Sequence, residues 1–196
     1  MTSRDAILTA VRKHLPESSP LSDLDGPWIT FADPVAQFAE VLEMIGGHCV
    51  AVPDVAAMHA HLLTLPPFVT ARRTLSLIPG LPSQGVGMDE VTDPHELEDV
   101  DFAILPGMFG VAENAAVWVT DAALKHRVGY FLCQHLALVV PAGQIVNNLG
   151  EAYKRIRFDG PGFGAFIAGP SKTADIEQSL VIGAHGPKSM TVFLLG

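Results

Sequence analysis

The stretch Gly169-Pro-Ser-Lys-Thr-Ala-Asp-Ile-Glu177 gathers the groups best suited to holding an anion. The apolar run 163–168 predicts a strand that ends at Gly169, and a helix is predicted from Thr173 to about residue 180. At such a strand-to-helix crossing, backbone N–H groups and the positive end of a helix dipole face outward. Ser171 and Thr173 add hydroxyl donors, and Lys172 adds a point charge for a phosphate or carboxylate. The competing reading is an ordinary helix start, with Ser or Thr as cap and Asp175 and Glu177 complementing the dipole. Those acids would also repel an anion on the helix end. The spacing is not G-x-x-x-x-G-K-S/T, so the loop is not a P-loop.

A second stretch, Gly183-Ala-His-Gly-Pro-Lys-Ser189, leads into the apolar run 190–195. Gly183 and Gly186 permit positive φ, and Pro187 stiffens the turn. His185 stands among small residues, accessible either as an acid/base group or as a turn histidine bonded to nearby carbonyls. Lys188 offers a second local cation. In Phe109-Gly-Val-Ala-Glu-Asn-Ala115, Glu113 precedes an apolar strand, a place suited to a nucleophilic or general-base carboxylate with Asn114 orienting a substrate. The alternative is a plain turn with Asn114 left-handed and Glu113 in solvent. Glu113 and His185 are thus the candidate catalytic residues. Gly169, Ser171, Lys172, Thr173, Gly183, Gly186 and Lys188 are the candidate ligand-binding residues. The expected arrangement is one concave pocket with Glu113 at its wall and the Gly169 and Gly183 loops at one edge of a single sheet. His126, Arg127, Gln134 and His135 form a looser polar set, and no metal-ligand spacing joins the histidines.

Positioning these loops requires a layered scaffold. An amphipathic helix capped by Ser3 is expected over 1–15, followed by a Ser-, Pro-, Asp- and Gly-rich linker at 16–27. This divides the chain into a helix and linker (1–28) and a domain (29–196), the first helix being free to pack on another subunit. Asp33 and Pro34 open a second helix that ends at Gly46 and Gly47. Residues 48–52 predict a buried strand and 54–65 a helix. The apolar runs 75–78, 102–105, 115–120 and 136–140 predict further strands. Asn148 caps a helix to about residue 156, and 190–195 closes the chain as a strand. Strands apolar throughout belong to a sheet covered on both faces. The expectation is an α/β fold with a mixed, mostly parallel sheet sandwiched by helices.

The 196 residues suffice for one domain with a substantial core. Twelve basic against 21 acidic residues give a net charge of −9, which argues against a nucleic-acid surface. No apolar run approaches the length of a membrane span, and no signal pattern opens the chain, so a cytoplasmic location is expected. The two cysteines, Cys49 and Cys133, are far apart and read as reduced thiols. A cysteine-built iron–sulfur or zinc site is excluded by their number and spacing, and no metal is assigned.

The segment Phe166-Ile-Ala-Gly-Pro-Ser-Lys-Thr-Ala-Asp-Ile-Glu-Gln-Ser-Leu-Val-Ile-Gly-Ala-His-Gly-Pro187 closely resembles the signature of the LUD-domain family, lactate-utilisation protein C type. The motif around Ala112-Glu113-Asn114 and the pair Gln134–His135 match in order, and the resemblance covers roughly residues 30–196. It implies a NagB/RpiA/CoA-transferase-like fold. It also implies an accessory, ligand-binding role in oxidising L-lactate to pyruvate, beside iron–sulfur partner proteins that hold the clusters. Many members carry Ala-Glu-Thr-Gly-Thr where this chain has Ala112-Glu-Asn-Ala-Ala116, which loses two hydroxyls and a glycine but keeps Glu113. Three hypotheses follow: a binding subunit for a small anion, a stand-alone CoA-transferase-like or isomerase-like enzyme using Glu113, and a structural partner. Whether the chain is a homo-oligomer stays open.

Overall fold

The computed structural model describes residues 2–17, 19–20, 25–157, 162–174 and 180–196. In chain order its elements are α1 (Ser3–Lys13), α2 (Pro34–Met44), β1 (His48–Val52), α3 (Val55–Leu62), α4 (Pro66–Val69), β2 (Thr74–Ser76), β3 (Phe102–Pro106), β4 (Phe109–Val111), β5 (Ala116–Thr120), α5 (Gly129–Leu132), β6 (His135–Pro141), β7 (Ile145–Val146), α6 (Leu149–Arg155), β8 (Gly164–Ile167), β9 (Lys172–Thr173), β10 (Val181–Ile182) and β11 (Ser189–Leu195). A short 3₁₀ turn covers Pro94–Leu97.

Parallel and antiparallel pairing are divided between two sheets. The five-stranded sheet, ordered β1-β11-β6-β3-β2, is parallel throughout. The four-stranded sheet, β7-β4-β5-β8, is antiparallel except for the β4–β7 pair. Alternation along β6 shows how the layers form, because successive side chains point to opposite faces. Leu136, Leu138 and Val140 join Phe38 and Leu42 of α2 and Val117 and Val119 of β5 in one core. Ala137 and Val139 face the other way, toward Met58 and Leu62 of α3. A third core, with Val111, Trp118 and Ala152, lies between the outer face of the four-stranded sheet and α6. Helices α3 and α4 therefore cover one face of the parallel sheet, whereas α2 and the second sheet cover the other. The α/β layering agrees with the expectation, and the antiparallel strands supply a covering layer that helices alone were expected to provide.

Local chemistry explains the helix starts. The Asp33 carboxylate accepts from Val35 N at 3.1 Å and Ala36 N at 2.9 Å, with Pro34 opening α2. Asn148 accepts from Glu151 N at 2.9 Å. Thr2, not Ser3, caps α1, its oxygen accepting from Asp5 N at 3.2 Å. Helix α1 buries no residue, and its Ile7 and Val11 are exposed. Thr173, expected to begin a helix, is in a strand. Lys172 and Thr173 form β9, paired antiparallel with β10, because Val181 and Ile182 return alongside them. Asp175, Glu177 and the middle of that expected helix lie outside the described residues.

Candidate functional site

Three strands of the parallel sheet begin side by side, and their first residues enclose a cleft. Register sets Phe102 of β3 against His135 of β6, and His135 against Ser189 of β11. Backbone bonds continue this order outward: His135 N donates to Asp101 O at 3.0 Å, and Lys188 N to Gln134 O at 2.7 Å. Asp101, Gln134, His135 and Lys188, with Thr70 and Pro67 from the α4 region, line a cavity of about 350 Å³. Its polar groups come from strand starts, where side chains are freed from the core but their backbone is held by the sheet.

Each side chain has a fixed setting. His135 Nδ1 lies 2.7 Å from Ser189 Oγ, and its ring stacks on Phe102 with centroids 6.1 Å apart and an interplanar angle of 22°. Burial holds the His135 pKa below its ordinary value, the Lys188 charge adds to this, and Asp101 opposes it. The imidazole is thus neutral at pH 7, able to donate from one nitrogen and accept at the other. One Asp101 oxygen accepts from Arg72 N at 2.7 Å and from Arg73 N at 3.0 Å. Those bonds, that from Arg73 first, hold the carboxylate below the usual range. Lys188 is exposed. Together the Lys188 cation, the Gln134 amide and the neutral His135 imidazole border one small cavity beside the backbone-bonded Asp101 carboxylate, and the first three offer donors to a compact carboxylate.

Lys188, which lines this cleft, ends the loop 183–188, and backbone bonds tie that loop to the β9–β10 hairpin. Ser171 N donates to Pro187 O, and Gly183 N to Ser171 O, both at 2.9 Å. Gly183 adopts φ +77, and a Cβ there would lie 2.4 Å from Lys188 Cγ. Gly169 adopts φ +71, and a Cβ there would lie 3.1 Å from Ile45 O. Both positions therefore require glycine. A Cβ on Gly186 would sit 3.1 Å from Ser171 Cβ, so these two backbones are also in close approach. The Gly169 and Gly183 loops are neighbours, as expected, but not at one edge of one sheet. Gly169 follows β8 in the four-stranded sheet, whereas Gly183 precedes β11 in the parallel sheet.

Other expected site residues are distributed around this loop pair. The Lys172 ammonium donates to Ile45 O at the carboxyl end of α2, where helix carbonyls lack intrahelical partners. It serves there as a C-terminal helix cap. Thr173 lies in β9, and His185 is exposed in the turn. Glu113 occupies the tight β4–β5 turn, half-buried, its N–H donating to Asn147 O at 3.1 Å. Ala115, rather than Asn114, takes the positive φ (54°), and the Asn114 side chain accepts from Ala116 N at 3.1 Å. Because Val117 pairs with Ile167, this turn and Gly169 lie at the same end of the four-stranded sheet. Neither Glu113 nor His185 lines the cleft beside Lys188.

The LUD domain profile matches residues 84–195, more than half of the chain. The chain belongs to the LUD-domain family. The matched span contains Asp101, Gln134, His135, Lys188 and the whole 183–188 loop. Lactate utilization protein C 1 from Bacillus mycoides is 33% identical over 109 residues, covering 53% of this chain and 46% of that protein. Lactate utilization protein C from Shouchella clausii is 33% identical over 98 residues, covering 47% and 43%. The chain thus spans about half the length of the curated relatives it matches. A crystal structure of a DUF162 family protein from Deinococcus radiodurans shares the fold, with a TM-score of 0.57 at 19% identity, covering 83% of this chain and 96% of that one.

In this LUD domain, sequence reasoning overlooked Asp101 and Ser189 and left Gln134 and His135 in a loose set. The available signal was positional. Asp101, Gln134–His135 and Lys188–Ser189 each stand immediately before or at the start of an apolar run, so parallel in-register pairing brings them together. Among the described residues no helix is long and apolar enough to cross a membrane. The same residues contain no cluster of three His, Cys, Asp or Glu side chains placed to hold a metal ion.

Proposed function

We propose that this LUD domain is an accessory, ligand-binding subunit of an L-lactate-oxidising system. It would hold a small 2-hydroxy or 2-oxo carboxylate while iron–sulfur partner proteins carry the electrons. The observation that carries this reading is the family match over residues 84–195, the span that supplies Asp101, Gln134, His135 and Lys188 to the cleft. Lys188 would pair with the ligand carboxylate, Gln134 would donate to its oxygens, and neutral His135, positioned by the Ser189 hydroxyl, would contact the 2-oxygen. The cavity volume of about 350 Å³ suits a three-carbon acid with room for water. Both cysteines are unsuited to electron transfer as they stand. Burial pushes the Cys133 thiol up to about 12, and burial with the nearby Glu43 charge pushes Cys49 up to about 11. Both are therefore protonated thiols at neutral pH.

The physiological test is deletion of the gene. Growth on L-lactate should be impaired while growth on glucose is spared. Unchanged growth on lactate in a strain with no second lactate oxidase would refute the role. A second reading, a stand-alone CoA-transferase-like or isomerase-like enzyme using Glu113, draws on one observation. The Glu113 carboxylate has no hydrogen-bond or ion-pair partner among the described residues, although its turn is fixed by the sheet. Turnover by the isolated chain that disappears in Glu113→Gln, with lactate binding intact, would favour that reading.

A further inference from the structure

A larger cleft lies away from the lactate-sized one, between the 3₁₀ turn and the segment 121–132. Its volume is about 620 Å³, and Lys125, His126 and Arg127 form one rim with His95 opposite. Pro94, Val128 and Leu132 contribute apolar wall. In a chain of net charge −9, with only 12 Lys and Arg, two such cations and two histidines in one cavity stand out. We propose that this cleft binds an organic anion that carries phosphate on an apolar or aromatic body.

The side chains are held open for such a ligand. Lys125 Nζ donates to Asp89 O at 3.2 Å, a neutral carbonyl that leaves its charge uncompensated. The Arg127 guanidinium lies over the Phe163 ring, 5.4 Å from its centroid. Among the described residues, neither cation pairs with a carboxylate. His126 Nε2 donates to Val91 O at 3.1 Å, which leaves Nδ1 without a partner among the described residues. His95 is bonded through Nδ1 to Asp93 Oδ1 at 2.7 Å, and this bond raises its pKa. The one acid in the wall, Asp121, already accepts from Phe163 N at 3.0 Å. Two cations without salt-bridge partners among the described residues, set against one carboxylate in the wall, suit a multiply charged phosphate better than a monocarboxylate, which one cation satisfies. The volume lies in the range of cofactor-sized ligands and exceeds the needs of a three-carbon acid.

Titration of the full chain with ADP, inorganic pyrophosphate and adenosine at low ionic strength tests this. ADP should bind saturably, pyrophosphate more weakly, and adenosine not measurably. Arg127→Ala and Lys125→Ala should each weaken ADP by about tenfold, the scale of a charge-assisted hydrogen bond near the surface. Both side chains are exposed, so the variants should melt like wild type, and L-lactate binding should be unchanged in them. Absence of saturable ADP binding, or variants that bind ADP as tightly as wild type, would overturn the site. Pyrophosphate binding as tightly as ADP would overturn the organic half of the proposal.

Discussion

Replacing Asp101 separates the residues that build the lactate-sized cleft from those that would touch its ligand. The Asp101 carboxylate accepts two backbone N–H bonds, 2.7 Å from Arg72 and 3.0 Å from Arg73, while its own backbone bonds to Arg73 O and His135 N. Hydrogen bonds to a charged group contribute roughly 1.5–3 kcal/mol when buried. Asp101 is only half-buried and Arg72 is exposed, so solvent screening reduces each to about 1 kcal/mol. Asp101→Ala should therefore lower unfolding stability by about 2 kcal/mol at pH 7 in urea titrations. Asp101→Asn should lose about half as much, because its amide oxygen still accepts. The depressed folded pKa makes the wild-type advantage present above the unfolded value near 3.9 and lost as pH falls through the folded value. The gap between wild type and Asp101→Ala should thus close in acid. Anion affinity should hold or rise slightly, since a negative neighbour of Lys188 has gone. A stability loss under about 0.5 kcal/mol, or a gap that persists unchanged at pH 2, would refute the assignment of Asp101 as a strut.

Two further predictions concern the same region. His135 should titrate by NMR below the ordinary histidine value near 6.5, so its contribution to stability is present above that value and lost as pH falls through its folded pKa. His95, with a raised pKa, acts in the opposite sense, which is why site-resolved titration is needed rather than a global melt. Gly183→Ala should cost about 1–3 kcal/mol, from a left-handed φ of +77 and from a Cβ 2.4 Å from Lys188 Cγ, and should displace Lys188. Unaltered urea midpoints for that variant would show that the loop relaxes freely.

Much of the scaffold was legible because local signals and burial agree there. Asp33 with Pro34, and Asn148 with its following helix, place helix starts on capping chemistry that needs no tertiary information. Strand β1 was recovered over its full extent, and β3, β5, β6 and β11 to within about a residue at each end, since each carries a continuous apolar run. The short strands β4 and β7 were missed. Three and two residues are too few for a period to show, and their pairing is decided by partners elsewhere in the chain. Thr173 was misassigned because Gly-Pro-Ser-Lys-Thr-Ala-Asp carries every local mark of a capped helix start. The antiparallel return of Val181 and Ile182 outweighs those marks. The Gly169 and Gly183 loops were expected near one another and are; of the two glycines read as permitting positive φ, Gly183 adopts it and Gly186 does not, while Gly169 adopts it unforeseen. Lys172 was read as a ligand charge because a sequence does not show that the carboxyl end of α2 stands beside it. The His135–Ser189 contact spans 54 positions and exists only through parallel register.

The central claim is that small carboxylates occupy the cleft where β3, β6 and β11 begin. It is tested most directly by titrating L-lactate and pyruvate into isotopically labelled protein and following backbone and imidazole resonances. The account expects saturable shifts concentrated at Asp101, Gln134, His135, Lys188 and Ser189. It also expects about a fivefold loss of affinity in Lys188→Ala, the screened value for an exposed cation. Absence of shifts at those residues, or shifts centred on Glu113 and His185 with Lys188→Ala binding as wild type, would contradict it.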